Sequence, residues 1–503
     1  MNVEPQDDDP LAELRRRATL REFTFVSGAP VVGGLMARLR AAWNSVATKW
    51  QARPVMAQQS AFNRALADWL AQPPNAAEVD ERLIAQDHRQ TALSGEMARL
   101  TAQARWARGE RAERRPRLAY FSPLPPSPSG IADYSAELLP HLAELADITL
   151  FSDQPEVDIL GLPSYATGDY PALRHAFDLP LYQMGNSDRH EAMFAMMMQY
   201  PGVVVLHDYF LHHFIHYHTV GRGDWPGYER EMAYAGGRDG RRRARAIRDN
   251  QATFPLFDEP LNARLIDAAV GLIVHSDFAA RRARAARPGL RAAVIAAPVA
   301  PHPGRSRRAQ LGVADDAVIF GSFGQLTAEK RIDTALRAFR RVREQYPHSR
   351  FLLAGGAQPD IDLPRLLADL QLADAVIAIG HVAELGEFVD WIHTADVVVN
   401  LRQPTVGETS AVALRALAAA RPVVVYDHGW YAELPDAVAL KVPPGDEDAL
   451  FAAMERLAAS AALRRALGEA GEAYIQAHHQ PQQVARATID FVLTILAGGS
   501  AYA

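Results

Sequence analysis

One histidine of this sequence stands where an active-site side chain is expected. His207 comes directly after the apolar run 203–206, which reads VVVL, and is followed by Asp208. Such a run predicts a buried strand, and in doubly wound sheets ligands bind beyond the carboxyl ends of the strands. An imidazole there donates or accepts a proton near neutral pH. We therefore predict that His207 is a catalytic residue.

Four more histidines follow within a short distance: His212, His213, His216 and His218. A cluster of this kind is compatible with a metal site, but no carboxylate or cysteine stands at a recognisable zinc spacing from it. We interpret these histidines as helix-surface or packing residues. We expect no metal ion and no other cofactor.

A proline-rich loop follows the predicted strand 118–121. Residues 122–134 read SPLPPSPSGIADY, which predicts a stiff turn leading into a helix. Gly130 and the first amides of that helix would face the sheet edge, where such amides bind an anion or a sugar hydroxyl. An ordinary strand-to-helix turn has the same composition, so both interpretations stay open.

A second glycine-containing loop follows a later apolar run. Residues 320–331 read FGSFGQLTAEKR and precede a helical stretch. Gly324 would let a phosphate approach the backbone, and Lys330 and Arg331 would neutralise a diphosphate leaving group. The alternative for Lys330 is a solvated charge at the start of a helix.

A third loop, residues 400–410, reads NLRQPTVGETS and opens another helix. Glu408 would accept hydrogen bonds from sugar hydroxyls, and the amides near Thr409 and Ser410 would hold phosphate oxygens. The alternative is a helix cap, because threonine and serine are good capping residues. The two roles are compatible with each other.

The loops are positioned by two series of short apolar runs separated by helical sequence. This pattern predicts two parallel, doubly wound sheets, hence an α/β fold with two Rossmann-like lobes facing a cleft. The first series is 118–121, 148–151, 181–184, 203–206 and 271–274, and the second is 318–320, 351–354, 376–379, 397–400 and 423–426.

We predict four segments along the chain. Residues 1–115 form an α-helical N-terminal extension, 116–297 the first lobe, 298–480 the second lobe, and 481–503 a C-terminal helix. Three prolines between residues 297 and 303 mark the best hinge candidate.

The N-terminal extension has an unusual local charge. Apolar residues between 32 and 50 recur at helical spacing, and residues 23–67 include five basic residues and no acidic one. This combination is typical of a helix that lies on an anionic membrane surface. Packing of the stripe against the lobes, or a dimer seam, is the alternative.

Composition excludes several classes of protein. The formal net charge of −6 gives no nucleic-acid-like electrostatic footprint, so we expect no nucleic-acid partner. The absence of cysteine excludes disulfides and a cysteine nucleophile. Because no stretch reaches the ~18 apolar residues of a membrane span, and the amino terminus is acidic, we predict a cytoplasmic protein.

These motifs together resemble the retaining family-four glycosyltransferases, over residues 117–480. The lysine that binds the donor diphosphate in that family is matched by Lys330, while Gln325 stands where arginine is usual. The family's Ala-x-Gly-x-Pro-Val-Val stretch corresponds to residues 418–424, AAARPVV.

The family's Glu-x7-Glu element is altered. Counting back from residues 418–424 puts Gly407 and Arg415 at its two positions, so that Glu408 is one residue out of register. The Gly-Glu-Thr-Ser sequence at 407–410 resembles a subgroup common among bacterial surface-polysaccharide enzymes, in which Glu408 still reaches the donor sugar.

The resemblance implies a GT-B fold and a retaining transfer of a sugar from a nucleotide-sugar donor to a glycan or lipid-linked acceptor. It implies that the first lobe binds the acceptor and the second the donor, with His207 beside the transferred sugar and the Gly130 loop between the two substrates. It also implies that no metal is needed, and a lipid-linked acceptor would place the enzyme at the inner face of the cell membrane. Two alternatives remain, a nucleotide-sugar epimerase of the same fold and a catalytically silent binding subunit.

Overall fold

A computed structural model describes residue 38 and residues 52–71, 76–108, 114–154, 158–314, 316–359 and 361–499. The chain divides into two compact units, Met1–Gln86 and Asp87–Ala503. The apolar residues of the predicted stripe at 32–50 lie outside the described residues. Helix α1 (Ala52–Ala71) follows it, and helix α2 (Ala76–Arg108) comes next.

The first lobe is built on a sheet of seven parallel strands in the order β3-β2-β1-β4-β5-β6-β7. The central strands are apolar on both faces because helices cover both sides of the sheet. The strands are β1 (Arg117–Phe121), β2 (Asp147–Phe151), β3 (Ser164–Tyr165), β4 (Leu179–Met184), β5 (Val203–Leu206), β6 (Gly271–Val274) and β7 (Ala292–Val294). The α-helices are α3 (Gly130–Leu145), α4 (Tyr170–Leu173), α5 (Glu191–Gln199), α6 (His212–His218), α7 (Trp225–Arg248), α8 (Ala263–Ala268) and α9 (Asp277–Ala286).

The second lobe contains a sheet of six parallel strands in the order β10-β9-β8-β11-β12-β13. Its strands are β8 (Ile319–Phe323), β9 (Arg350–Ala354), β10 (Val376–Gly380), β11 (Val397–Val399), β12 (Val423–Tyr426) and β13 (Ala439–Val442). Its α-helices are α10 (Ile332–Gln345), α11 (Leu363–Asp369), α12 (Leu385–Thr394), α13 (Ala411–Ala418), α14 (Glu447–Ala459) and α15 (Ala461–His478).

The last helix, α16 (Pro481–Ala497), returns to the first lobe. Its buried residues Val484, Phe491 and Ile495 share a hydrophobic core with Leu118 of β1 and Leu138 of α3. The chain therefore crosses between the lobes twice, once before the first strand of the second sheet and once after its last helix.

The predicted α/β architecture of two Rossmann-like lobes with a helical N-terminal region is confirmed. All ten predicted strands are present, with ends that differ by at most three residues. The prediction missed β3, β7 and β13. All three are edge strands. Polar residues in β3 and β13 interrupt the apolar run that marks a central strand, whereas β7 lies in the apolar run 292–297, which was not selected.

The order in which strands are added to the sheet reverses at a similar place in the two lobes. In the first lobe the strand order turns between β1 and β4, and in the second between β8 and β11. Ligands of doubly wound sheets bind at such points, beyond the carboxyl ends of the strands. The loops after β1, β8 and β11 are the three loops that the sequence singles out.

Candidate functional site

A cleft of about 470 Å³ is lined by residues of both lobes. Every predicted loop supplies at least one residue to it. From the first lobe come Gly130, Tyr134, His190, His207, Asp208 and His275, and from the second Gln325, Arg402, Glu408, Thr409, Leu414 and Arg415, among others.

The cleft brings together four of the eight predicted site residues: Gly130, His207, Glu408 and Thr409. The others do not line it. They are Gly324, Lys330, Arg331 and Ser410, which lie around the second-lobe loops that border the cleft.

His207 extends the sheet by one residue. Its amide donates to the carbonyl of Met184 at 2.9 Å, which continues the pairing of β5 with β4. Its Nε2 lies 2.9 Å from Oε1 of Gln183, and its ring meets the edge of Tyr134 at 4.6 Å. Burial, together with the neighbouring His275 and His190, lowers the pKa of His207 well below its usual value. The ring is therefore neutral at pH 7.

Two histidines that were not predicted as site residues also line the cleft, His190 and His275. His275 directly follows the last residue of β6, so the position that marked His207 also marks it. His190 closes the polar cluster 185–190 that follows β4, so it too lies beyond the carboxyl end of a strand, at the start of α5.

Glu408 is buried, and both of its oxygens are engaged by the second lobe. Oε1 lies 2.7 Å from Nε of Arg402. Oε2 accepts hydrogen bonds from Oγ1 of Thr405 and the amide of Val406, each at 2.8 Å. The carboxylate is thus fixed at the cleft wall by its own loop.

The capping role at helix α13 belongs to Ser410. Its Oγ accepts a hydrogen bond from the amide of Ala413 at 3.2 Å and another from Nδ2 of Asn400 at 2.9 Å. Ser410 is therefore the residue that caps the helix. Thr409 has a different contact, because its Oγ1 lies 3.5 Å from the carbonyl of His275 in the first lobe.

Lys330 is a partly buried group rather than a solvated charge. Its Nζ donates to the carbonyl of Phe323, at the end of β8. Gly324 has φ +78, and a Cβ at that position would lie 2.8 Å from Nζ. Burial, followed by the charge of Arg402, lowers the pKa of Lys330 to about 7. The positive φ therefore favours glycine at position 324, and any side chain there would make the end of Lys330 shift.

Asp208 is an acidic group that the sequence analysis did not select, although it directly follows His207. Its Oδ2 accepts a hydrogen bond from the amide of Asn186 at 2.8 Å. Burial, followed by the charge of Glu408, raises the pKa of Asp208 to about 6. A first-lobe carboxyl group and a second-lobe carboxylate thus share the cleft with the guanidinium of Arg402.

Arg331 stands at the start of α10 in a left-handed conformation, with φ 51. Its Nη2 lies 3.5 Å from Oγ1 of Thr334 in the same helix. Arg331 is therefore oriented by its own helix and not by a first-lobe group.

The histidines of α6 pack as expected where their contacts are defined. His212 is fully buried, with Nδ1 2.8 Å from the carbonyl of Glu259 and Nε2 2.9 Å from the hydroxyl of Tyr228. Within the described ranges, no three His, Asp or Glu side chains gather closely enough to hold a metal ion.

None of the helices within the described ranges is long and apolar enough to cross a membrane.

Comparison with known proteins agrees with this architecture. Residues 317–460 match the family described as "Glycosyl transferases group 1". This match lies entirely within the second lobe. No curated protein matches the chain.

Solved structures match both lobes. HepE of Anabaena, in complex with UDP, is 15% identical with a TM-score of 0.55, and the match covers 75% of this chain and all of HepE. The chain has a GT-B glycosyltransferase fold. A sucrose-phosphate synthase from Thermosynechococcus elongatus is 18% identical with a TM-score of 0.55, and the match covers 76% of this GT-B chain and all of the synthase.

Proposed function

We propose that this protein is a retaining glycosyltransferase that moves a sugar from a nucleotide-sugar donor to a glycan or lipid-linked acceptor. We further propose that it acts in bacterial surface-polysaccharide biosynthesis and needs no metal ion. The observation that carries the proposal is the meeting of His207 and Glu408 in one cleft between the lobes of a GT-B fold.

The donor diphosphate is assigned to the second lobe. Thr409 and Ser410 precede helix α13, whose first amides favour an anion. Lys330 and Gly324 border the same side, where a phosphate close to the glycine backbone would meet the ammonium group. Because the pKa of Lys330 is lowered to about 7, a bound diphosphate would also keep this lysine protonated.

The transferred sugar is assigned to the space between His207 and Glu408. The fixed carboxylate of Glu408 would accept hydrogen bonds from sugar hydroxyls, and His207 would approach the same sugar from the first lobe. Departure of the nucleotide diphosphate is the main electrostatic task, which the cations of the second lobe support. Retention requires the acceptor hydroxyl to attack on the face from which the diphosphate leaves.

The first lobe, residues 116–297, is assigned to the acceptor and the second, residues 298–480, to the donor. Residues 23–67 would hold the enzyme at the cytoplasmic face of a membrane that presents a lipid-linked acceptor. HepE has been solved with UDP-glucose, so UDP-sugars are the first donors to test.

The test combines binding with turnover. Nucleotide sugars are first screened for an increase in the melting temperature of the full-length protein. Release of free nucleotide diphosphate is then measured with and without a mixture of glycan and lipid-linked acceptors. Acceptor-dependent release supports transfer. Conversion of the sugar without release would establish an epimerase, and no stabilisation by any nucleotide sugar would establish a silent subunit.

A further inference from the structure

Two imidazoles on the first-lobe side of the cleft each keep one nitrogen without a partner. His190 is 1% exposed and His275 is 8% exposed, and both line the cleft. The Nε2 atom of each ring is buried and makes no hydrogen bond. Buried polar atoms are nearly always paired, so these two nitrogens call for a partner that the free protein does not supply.

The other ring nitrogen decides which kind of partner fits. Nδ1 of His275 lies 2.7 Å from the carbonyl of Ile295, and Nδ1 of His190 lies 3.1 Å from the carbonyl of Ser187. A carbonyl oxygen only accepts, so Nδ1 of His275 carries the proton. Nδ1 of His190 also lies 3.1 Å from Oγ of Ser187, which can donate or accept, and we assign the proton to Nδ1 there because it then serves both oxygens of Ser187. Nε2 therefore presents a lone pair in both, and burial lowers the pKa of each histidine to about 4.

The two rings belong to the same wall as His207. The centroid of the His275 ring lies 5.0 Å from that of His207, and Tyr134 lies 4.6 Å from His207 and 5.4 Å from His275. Gly185 leaves room for two neighbours in this wall, since a Cβ there would lie 2.5 Å from Cδ1 of Ile131 and 3.2 Å from Nε2 of His190. This wall is contributed entirely by the first lobe.

We propose that His190 and His275 accept hydrogen bonds from hydroxyl groups of the acceptor, and that the acceptor unit bound there is an uncharged sugar. This inference rests on the proposed function, which assigns the first lobe to the acceptor. A lone pair attracts a hydroxyl hydrogen but repels the oxygens of a phosphate or carboxylate. The cations Arg402 and Arg415 lie on the second-lobe side of the cleft, while Arg189 of the first lobe is exposed.

The test compares sugars of different charge on the full-length protein. The nucleotide diphosphate that most raises the melting temperature is added to saturation. Binding of methyl glycosides of glucose, galactose and mannose is then measured by saturation-transfer NMR, against glucuronate and glucose 6-phosphate. We expect binding of at least one methyl glycoside and about tenfold weaker binding of both anions. Equal binding of the anions, or no binding of any glycoside, overturns the inference.

Matched variants test the two nitrogens themselves. His190→Gln and His275→Gln keep an oxygen that accepts, whereas His190→Leu and His275→Leu remove it. We expect about tenfold weaker glycoside binding in each Leu variant, little change in the Gln variants, and unchanged nucleotide affinity in all four. Unchanged glycoside binding in folded Leu variants, or a loss confined to the nucleotide, overturns the assignment. If a Leu variant does not fold, the comparison of neutral and anionic sugars decides alone.

The two proposals fail differently. Absence of nucleotide binding with retained glycoside binding would count against the proposed function only. Nucleotide binding and sugar transfer to an anionic acceptor would leave the proposed function standing and overturn the inference about His190 and His275.

Discussion

Glu137 and Arg415 join the two lobes through a buried ion pair. Oε1 of Glu137, in α3, lies 2.7 Å from Nη1 of Arg415, in α13, and the side chains are 6% and 8% exposed. Oε2 of Glu137 also accepts a hydrogen bond from the amide of Ala300, at 3.0 Å, in the segment that links the lobes. The carboxylate of Glu137 therefore binds both a helix of the second lobe and the segment that links the lobes.

Removing one partner of this pair should destabilise the protein strongly. Arg415→Ala leaves Glu137 buried and without its cation, which typically lowers the free energy of unfolding by about 3–5 kcal/mol. The double variant Glu137→Leu with Arg415→Met removes both charges and should recover most of that loss. Urea denaturation of the three proteins measures this, and equal midpoints for the single variant and the unaltered protein would contradict it.

Lys330→Ala should weaken donor binding while the protein stays folded. A charge-assisted hydrogen bond to phosphate contributes about 1.5–3 kcal/mol, so the affinity should fall by about one to two orders of magnitude. Lys441→Ala is the matched control, because Lys441 pairs with Asp436 and belongs to strand β13 rather than to a loop that borders the cleft. Titration calorimetry with the stabilising nucleotide sugar gives the affinities, and equal values for both variants would reject the assignment of Lys330.

Glu408→Gln should cut turnover with the natural donor while the shape of the side chain is kept. The substitution removes the charge that faces Arg402 and the sugar site, and loss of such a preorganised group costs about 10²–10³-fold in kcat. Glu447→Gln, which alters a partly exposed pair with Arg337, serves as control. Full transfer activity of the Glu408→Gln variant would show that the carboxylate stabilises its own loop and takes no part in sugar transfer.

Stability should depend on pH through His275. Its pKa is lowered from 6.5 to about 4 in the folded state, so the unfolded chain binds the extra proton first as pH falls. The stabilisation is present above about pH 6.5 and is lost between there and pH 4, by at most about 1.4 kcal/mol per pH unit. In His275→Gln the free energy of unfolding should fall less steeply over this range, as measured by denaturation at several pH values. Parallel curves would mean that His275 is not held neutral.

Residues 23–67 should bind anionic membranes. An attraction on the order of 1 kcal/mol per basic residue near the surface predicts co-sedimentation with anionic vesicles at low salt and release at high salt. Neutral vesicles should retain little protein. The matched control replaces Arg38, Arg40, Lys49, Arg53 and Arg64 by glutamine. Equal partitioning to both lipids, or to neither, would show that this segment serves packing or a dimer contact instead.

The sequence by itself determined the architecture, because each central strand is buried on both faces and therefore reads as a short apolar run wherever it stands in the chain. It also placed His207 and Glu408 in loops after such runs, since ligands bind beyond the carboxyl ends of the strands. Strands β3 and β13 escaped prediction because each lies at a sheet edge, where partial exposure weakens the apolar pattern.

The tertiary structure alone decided what each polar group faces. The partner of Arg415 comes from the other lobe, and the proton on His275 is fixed by the carbonyl of Ile295. Likewise, Asp208 acquires its raised pKa from burial and from Glu408, which is far away in the sequence. Charge, tautomer and pairing depend on distances set by strand order and by the docking of the lobes, and no local pattern of residues encodes those distances.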